Sequence, residues 1–324
     1  MKGLRKYLTP FAPDQSGAVS VLYELGGMIV ICDAGGCAGN VCGFDEPRWF
    51  GQKSAIFSAG LRDMDAIMGR DDRLAAKIAD AAGKIEAAFI AVIGTPVPAV
   101  IGTDYRALCR LIEKETGICT LAVDTNGMEL YDKGAEKALA AVYDAFAKEV
   151  FPVVSGRIHL LGASPDDLGK VCPKITLDEI RTASAAEKNL VCAPAGMKTA
   201  RLLHKRFGTP YEIGWPQAAA LLPDLDYTDK EILVVHQHVF ADTLRKELLA
   251  RGARSVTVGT WFGMVKEIER EGDRTLREED EFEALIRDGG FDMVVADAAM
   301  QPMAKDFAGC WIDAPHFAVS GRYE

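Results

Sequence analysis

Three short apolar runs mark the first half of the chain: Gly27-Met28-Ile29-Val30-Ile31, Ala88-Phe89-Ile90-Ala91-Val92-Ile93 and Cys119-Thr120-Leu121-Ala122-Val123. Their length and β-branched content predict buried strands. Each run gives way to a polar or glycine-rich turn, over residues 32–39, 94–98 and 124–127. Residues 61–82, 104–115 and 134–149 repeat apolar positions at helical spacing. Strands alternating with helices predict a parallel sheet with crossover helices, whose ligands sit beyond the carboxyl ends of the strands. Later strands are expected near 157–162, 189–193 and 211–214. After a linker carrying Pro216, Pro223 and Asp224-Leu225-Asp226, more are expected at 231–237, 255–260 and 291–297, with helices at 239–250 and 279–287. The pattern predicts an α/β chain of three lobes, residues 1–155, 156–224 and 225–324, with the middle lobe reduced.

Composition adds exclusions. The 324 residues carry 37 basic and 47 acidic side chains, a net charge of −10, and the pI is near 5.2. No broad basic face for nucleic acid or anionic lipid is expected. The longest apolar run, residues 87–102, is broken by Pro96 and Pro98 and is too short for a membrane helix. The basic N-terminus leads into Tyr7-Leu8-Thr9-Pro10 instead of a signal core, so a cytoplasmic location is expected. In that reducing compartment the eight cysteines are expected as thiols, packed or metal-bound. Cys109, Cys119, Cys172, Cys192 and Cys310 are scattered, and Cys310 beside Trp311 reads as core.

Cys32, Cys37 and Cys42 instead fall together in the glycine-rich stretch Cys32-Asp33-Ala34-Gly35-Gly36-Cys37-Ala38-Gly39-Asn40-Val41-Cys42-Gly43-Phe44. Neither dinucleotide nor P-loop glycine spacing is present, which argues against a bound nucleotide. The cysteine spacing fits no common zinc framework. Thiolates beside free backbone N–H groups suit soft metal or an iron–sulfur cluster. Cys32 ends an apolar strand and reads as a core thiol or a ligand. Cys37 sits at the turn itself, between Gly36 and Gly39, and Cys42 is intermediate.

Several segments together resemble the nitrogenase component 1-like oxidoreductases. These are Phe11-Ala12-Pro13-Asp14-Gln15-Ser16-Gly17, Glu24-Leu25-Gly26-Gly27, Gly35-Gly36-Cys37-Ala38-Gly39-Asn40, Asp45-Glu46-Pro47-Arg48, Gly94-Thr95-Pro96-Val97-Pro98, Ile101-Gly102-Thr103-Asp104, Val123-Asp124-Thr125-Asn126-Gly127-Met128 and Ala314-Pro315-His316-Phe317. The resemblance implies three Rossmann-like lobes and a [4Fe–4S]-type cluster at a subunit interface. The second subunit is another copy or a related component 1-like chain, and an ATP-dependent iron-protein reductase supplies low-potential electrons for a small-molecule substrate. By that resemblance Cys37 falls on a cluster ligand. A second thiol, common near Ala18 or Val19, is absent, and Thr95 occupies the place of a third. Cys42 or Cys32 substituting, a partner supplying thiolates and loss of the cluster remain open. No residue matches the ligands of the large catalytic metallocluster, so dinitrogen reduction is not implied.

Other polar groups complete the candidate set. Asp104, Asp124 and Asn126 follow strands of the first lobe, where a crevice ligand would lie, although 124–127 is also an ordinary turn sequence. His236 and His238 share a face if their strand continues, and His316 has the chemistry of a proton donor beside a cleft. Asp45, Glu46 and Arg48 read as a surface ion pair. The expectation is an oxidoreductase subunit passing electrons through a cluster near Cys37, with Gly36, Gly39 and Thr95 shaping its pocket. The alternative is a non-catalytic protein of the same fold holding a small ligand or a metallocofactor in transit.

Overall fold

The computed structural model describes residues 5–62, 64, 68–162, 175–216 and 218–322, which leaves Cys172 outside the described residues. Its twelve strands form three sheets in which every pairing is parallel. The first sheet holds β1 (Met28–Ile31), β2 (Ala55–Ser58), β3 (Ile90–Ile93) and β4 (Thr120–Val123) in the order β2-β1-β3-β4. Met28 pairs with Ala55 on one side and Ile90 on the other. Alternation divides β1 between two layers. Met28, Val30 and Cys32 pack with Leu74, Ile78, Leu108 and Cys109, whereas Ile29 and Ile31 join Ala18, Val19 and Val41.

The second layer depends on a close helix crossing. Helices Asp14–Leu22 and Tyr131–Phe146 meet where Gly17 faces Tyr131 and Gly134 faces Asp14. A Cβ on Gly134 would lie 1.6 Å from the Asp14 carbonyl oxygen, and one on Gly17 1.9 Å from that of Tyr131. Both positions therefore require glycine for the backbones to touch.

The middle lobe is a three-stranded sheet of β5 (Val154–Leu161), β6 (Ala186–Val191) and β7 (Tyr211–Ile213). The C-terminal lobe has β8 (Glu231–Val235), β9 (Ser255–Thr260), β10 (Arg274–Thr275), β11 (Met293–Ala296) and β12 (Cys310–Asp313) in the order β10-β9-β8-β11-β12. An N-terminal arm ties it to the first lobe. The backbone N–H groups of Lys6, Tyr7 and Leu8 donate to the buried Glu279 carboxylate at 2.6–3.0 Å. Phe11 packs on Trp261 and Phe262, and Ala12 N–H donates to the Ala318 carbonyl at 2.9 Å.

Several expectations are corrected. The helical pattern over 61–82 is not one helix: it is interrupted at Gly69, at φ 59°, before the helix Asp71–Ala82. The pattern at 134–149 starts earlier, at Tyr131, and ends at Phe146. Cys310 lies exposed on the edge strand β12 instead of in the core. Among the described residues no helix is long and apolar enough to cross a membrane.

Candidate functional site

The turn after β1 is built around a buried acid. Asp33 Oδ2 accepts the Ala38 N–H at 2.7 Å and Oδ1 accepts the Ser58 hydroxyl at 2.5 Å. Gly35, at φ 113°, reverses the chain into the short helix Gly36–Asn40. A wider turn at Val41–Asp45 follows, and Asp45 accepts from Ser16 Oγ at 2.7 Å and Asn40 Nδ2 at 3.0 Å. The next two charges are a correction to the sequence reading. Glu46 and Arg48 are buried, paired through both carboxylate oxygens at 2.7 Å, with Arg48 Nη2 donating to the Ser20 carbonyl at 2.8 Å and the guanidinium lying over Tyr23. They anchor the turn to helix Asp14–Leu22. The signal in the sequence was Pro47, which starts a helical turn between the two charges.

The three thiols do not converge. Cys32 is buried on the face of the sheet that carries Cys109 and Tyr105, and burial pushes its pKa up to about 12, with Cys109 adding to the rise. Cys37 lies on the other side, half-buried against the Ala18–Val41 core. Burial raises its thiol pKa and Asp33 adds to that, while its contact with the Thr95 hydroxyl opposes it. Thr95 is buried and donates its one hydroxyl proton to the Cys32 carbonyl at 2.6 Å. The structure thus joins Thr95 to Cys37, two positions far apart in sequence. Cys42 is half-buried too, raised by burial and by Glu46 and lowered by Lys53. Neither thiol is activated by its surroundings.

The ground in front of the turn is open. A Cβ on Gly36, Gly39 or Gly43 would meet nothing within 4 Å, so nothing inside this chain demands glycine there. Exposed apolar side chains stand on this turn and on the two beside it: Phe44 (77%) after β1, Val97 and Val100 (82%) on the helix that follows Thr95, and Met128 (72%) after β4. Among the described residues no three His, Cys, Asp or Glu side chains come together as a metal site. With Cys32 turned to the opposite layer, the described residues alone do not fit a complete cluster ligand set.

The remaining candidates separate. Asn126 accepts the Met128 and Glu129 N–H groups, and Asp14, which sequence reasoning did not single out, accepts those of Asn126 and Gly127 at 2.9 and 2.7 Å. Asp14 is buried, which raises its pKa despite these bonds. Lys137 donates to the Asp124 carbonyl at 2.7 Å, so Asp124 contributes backbone to this turn. Thr125 ties the turn to the Gly94 carbonyl at 2.7 Å. The turns after β1, β3 and β4 are therefore stitched side by side. Asp104 caps helix Tyr105–Thr116, accepting from Arg106 and Ala107 at 3.0 Å. His316 has other neighbours: it is sealed in the C-terminal lobe between Phe262 and His236. Its Nδ1 accepts the Ala318 N–H, and burial lowers its pKa to about 4 although Asp297 pulls the other way. His236 and His238 point apart: His236 Nε2 meets the Pro315 carbonyl, whereas His238 opens a helix and accepts from Val265 N–H.

Comparison with known proteins places these features. Residues 14–216 match the family model for the nitrogenase component 1 type oxidoreductases. Among curated proteins, the nitrogenase iron-molybdenum cofactor biosynthesis protein NifE of Klebsiella pneumoniae is 28% identical over 63% of this chain and 55% of its own length. Its namesake from Clostridium pasteurianum is 28% identical over 48% of this chain and 38% of its own length. The chain thus spans about half the length of these relatives, or less. Two solved structures, nitrogenase Cp1 at pH 6.5 and at pH 5, share the fold. Their TM-scores are 0.74 and 0.69, over 100% and 96% of this chain and 89% and 84% of theirs, at 14% and 16% identity.

Proposed function

The chain belongs to the nitrogenase component 1 type oxidoreductase family, and from that premise we propose that it is one half of a two-chain assembly that holds an iron–sulfur species at a site shared with a second chain. Cys37 would be this chain's contribution, with Cys42 on the following turn. The observation that carries the reading is the state of the Cys37 turn. One half-buried thiol stands in front of open glycines, inside a rim of exposed Phe44, Val97, Val100 and Met128. A second apolar surface seated on that rim would bury it, exclude water and bring further thiolates to Cys37. Bound iron would hold the cysteines as thiolates, which this chain's own electrostatics do not do.

Holding the species in transit is favoured over passing electrons to a substrate. His316 is a sealed structural histidine, and Asp104, Asn126 and Asp14 spend carboxylate or amide oxygens on their own backbone. His316 is thus closed off by its own lobe, and Asp14 and Asn126 are committed to holding the turn after β4. The names of the curated relatives, biosynthesis proteins for a metallocofactor, agree with a holding role. Anaerobic reconstitution with iron and sulfide tests this. The chain should load iron while forming a dimer, or a complex with a related chain, and Phe44→Asp should abolish both. Loading by a monomer with Phe44→Asp unaffected would overturn the shared site. Substrate turnover driven by an ATP-hydrolysing iron protein would replace holding with the reductase reading.

A further inference from the structure

On the opposite face of the first sheet from Cys37 lies a cavity of about 290 Å³ floored by Cys32. Its walls are residues 69–77, after β2, and 98–104, after β3. In the order β2-β1-β3-β4 the connection from β1 runs to β2 and that from β3 runs the opposite way, to β4. The cavity therefore occupies the crevice beyond the carboxyl ends where doubly wound sheets take ligands. One wall is cationic: Arg70, Arg73 and Lys77 recur at intervals of three and four residues and so share a face of helix Asp71–Ala82 and its cap. Arg70 meets the exposed Asp72 at 3.3 Å, a pair that solvent screens, and Lys77 has no acidic partner among the described residues. Acids line the cavity as well: Asp71 on the same wall, between Arg70 and Arg73, and Asp104 on the wall after β3. Burial together with Asp104 and Asp72 raises the Asp71 pKa.

A wall of three cations matches a dianionic phosphate better than a single carboxylate, and arginine pairs with phosphate oxygens through two parallel bonds. The carboxyl groups of Asp71 and Asp104 beside these cations call for hydroxyl donors. We propose that this cavity binds a small phosphorylated polyol, its phosphate on Arg70, Arg73 and Lys77 and its hydroxyls donating to Asp71 and Asp104. The site does not depend on the shared-site reading, because β1 separates the cavity from the Cys37 turn.

Titration calorimetry of the full chain with ribose 5-phosphate tests it, with ribose and inorganic phosphate as separate probes. Saturable binding of ribose 5-phosphate is expected, tighter than that of either probe. Arg73→Ala with Lys77→Ala should weaken it at least about tenfold, whereas Cys37→Ala should leave it unchanged. Both substituted side chains are exposed on a helix surface, and circular dichroism checks that the variant folds. Absence of saturable binding at millimolar sugar phosphate would overturn the proposal, as would affinity indifferent to the double substitution. Phosphate alone binding as tightly as the sugar phosphate would remove the polyol.

Discussion

Two polar regions of this molecule are organised in opposite ways. In the C-terminal lobe, Arg245 bonds Asp242 and Asp273 at 2.5–3.0 Å and the Ile268 carbonyl at 3.1 Å, and His238 stands 3.5 Å from Asp273. The four side chains are at most 2% exposed. Burial alone would raise the Asp273 pKa, but His238 and Arg245 bring it down to about 2. Every charge in that network is answered within the chain. At the Cys37 turn the supporting groups are equally well held, Asp33, Asp45 and the Glu46–Arg48 pair each having partners, but what they hold faces outward. Two half-buried thiols, bare glycines and an apolar rim are left for something else. A polar group closed on its own chain stabilises; a group fixed in place but left open is set up to bind.

The largest effect should come from breaking the closed network. Arg245→Ala leaves Asp242 and Asp273 buried without their main partner, and a loss of about 3–5 kcal/mol is expected in denaturant unfolding. A loss under about 1 kcal/mol would mean that solvent reaches the network and that the contrast with the Cys37 turn is false.

Acid should act next. Burial lowers both His159 and His316 to about 4, so the unfolded chain takes up these protons near pH 6.5 and the folded chain only near pH 4. Their contribution is complete above pH 6.5 and is lost as pH falls from there to 4, by about 3 kcal/mol for each histidine. Resonances of the His159 or His316 imidazole titrating in the folded protein near pH 6.5 would contradict this. Asp273 adds a second loss below pH 4, as the solution falls through its unfolded and then its folded value.

Smaller effects sharpen the boundary between support and surface. Asp104→Ala removes two N-cap hydrogen bonds, and thermal unfolding should report about 1 kcal/mol. Phe44→Ser and Val100→Ser should change monomer stability by less than about 0.5 kcal/mol, yet they should weaken association in sedimentation experiments. A larger stability loss would show that the rim packs inside the chain.

Much of the fold was legible because β1, β3, β8 and β11 are buried on both faces and read as continuous apolar runs. Strand β2 escaped notice because Phe57 and Ser58 are exposed at the sheet edge. Helix Asp14–Leu22 escaped for the opposite reason: Asp14, Gln15, Ser16 and Ser20 are buried, so no polar face marks it. At the site, the glycine–cysteine turn and the Thr95 position stood out in the sequence. The resemblance set both in one pocket, but the bond from Thr95 to the Cys32 carbonyl was not legible, because it depends on adjacent strands β1 and β3. The Glu46–Arg48 pair was misjudged because charges in a turn are mostly exposed, and Asp14 was passed over because its partners lie across the lobe at Asn126 and Gly127.

The central claim is that Cys37 is offered to a metal site completed by a second chain. Its most direct test is the iron and sulfide content of anaerobically reconstituted protein, measured for the wild type and Cys37→Ala alongside native mass. The account predicts iron and sulfide bound only in the two-chain species and lost in Cys37→Ala, with the monomer still folded. Iron content unchanged by Cys37→Ala would contradict it.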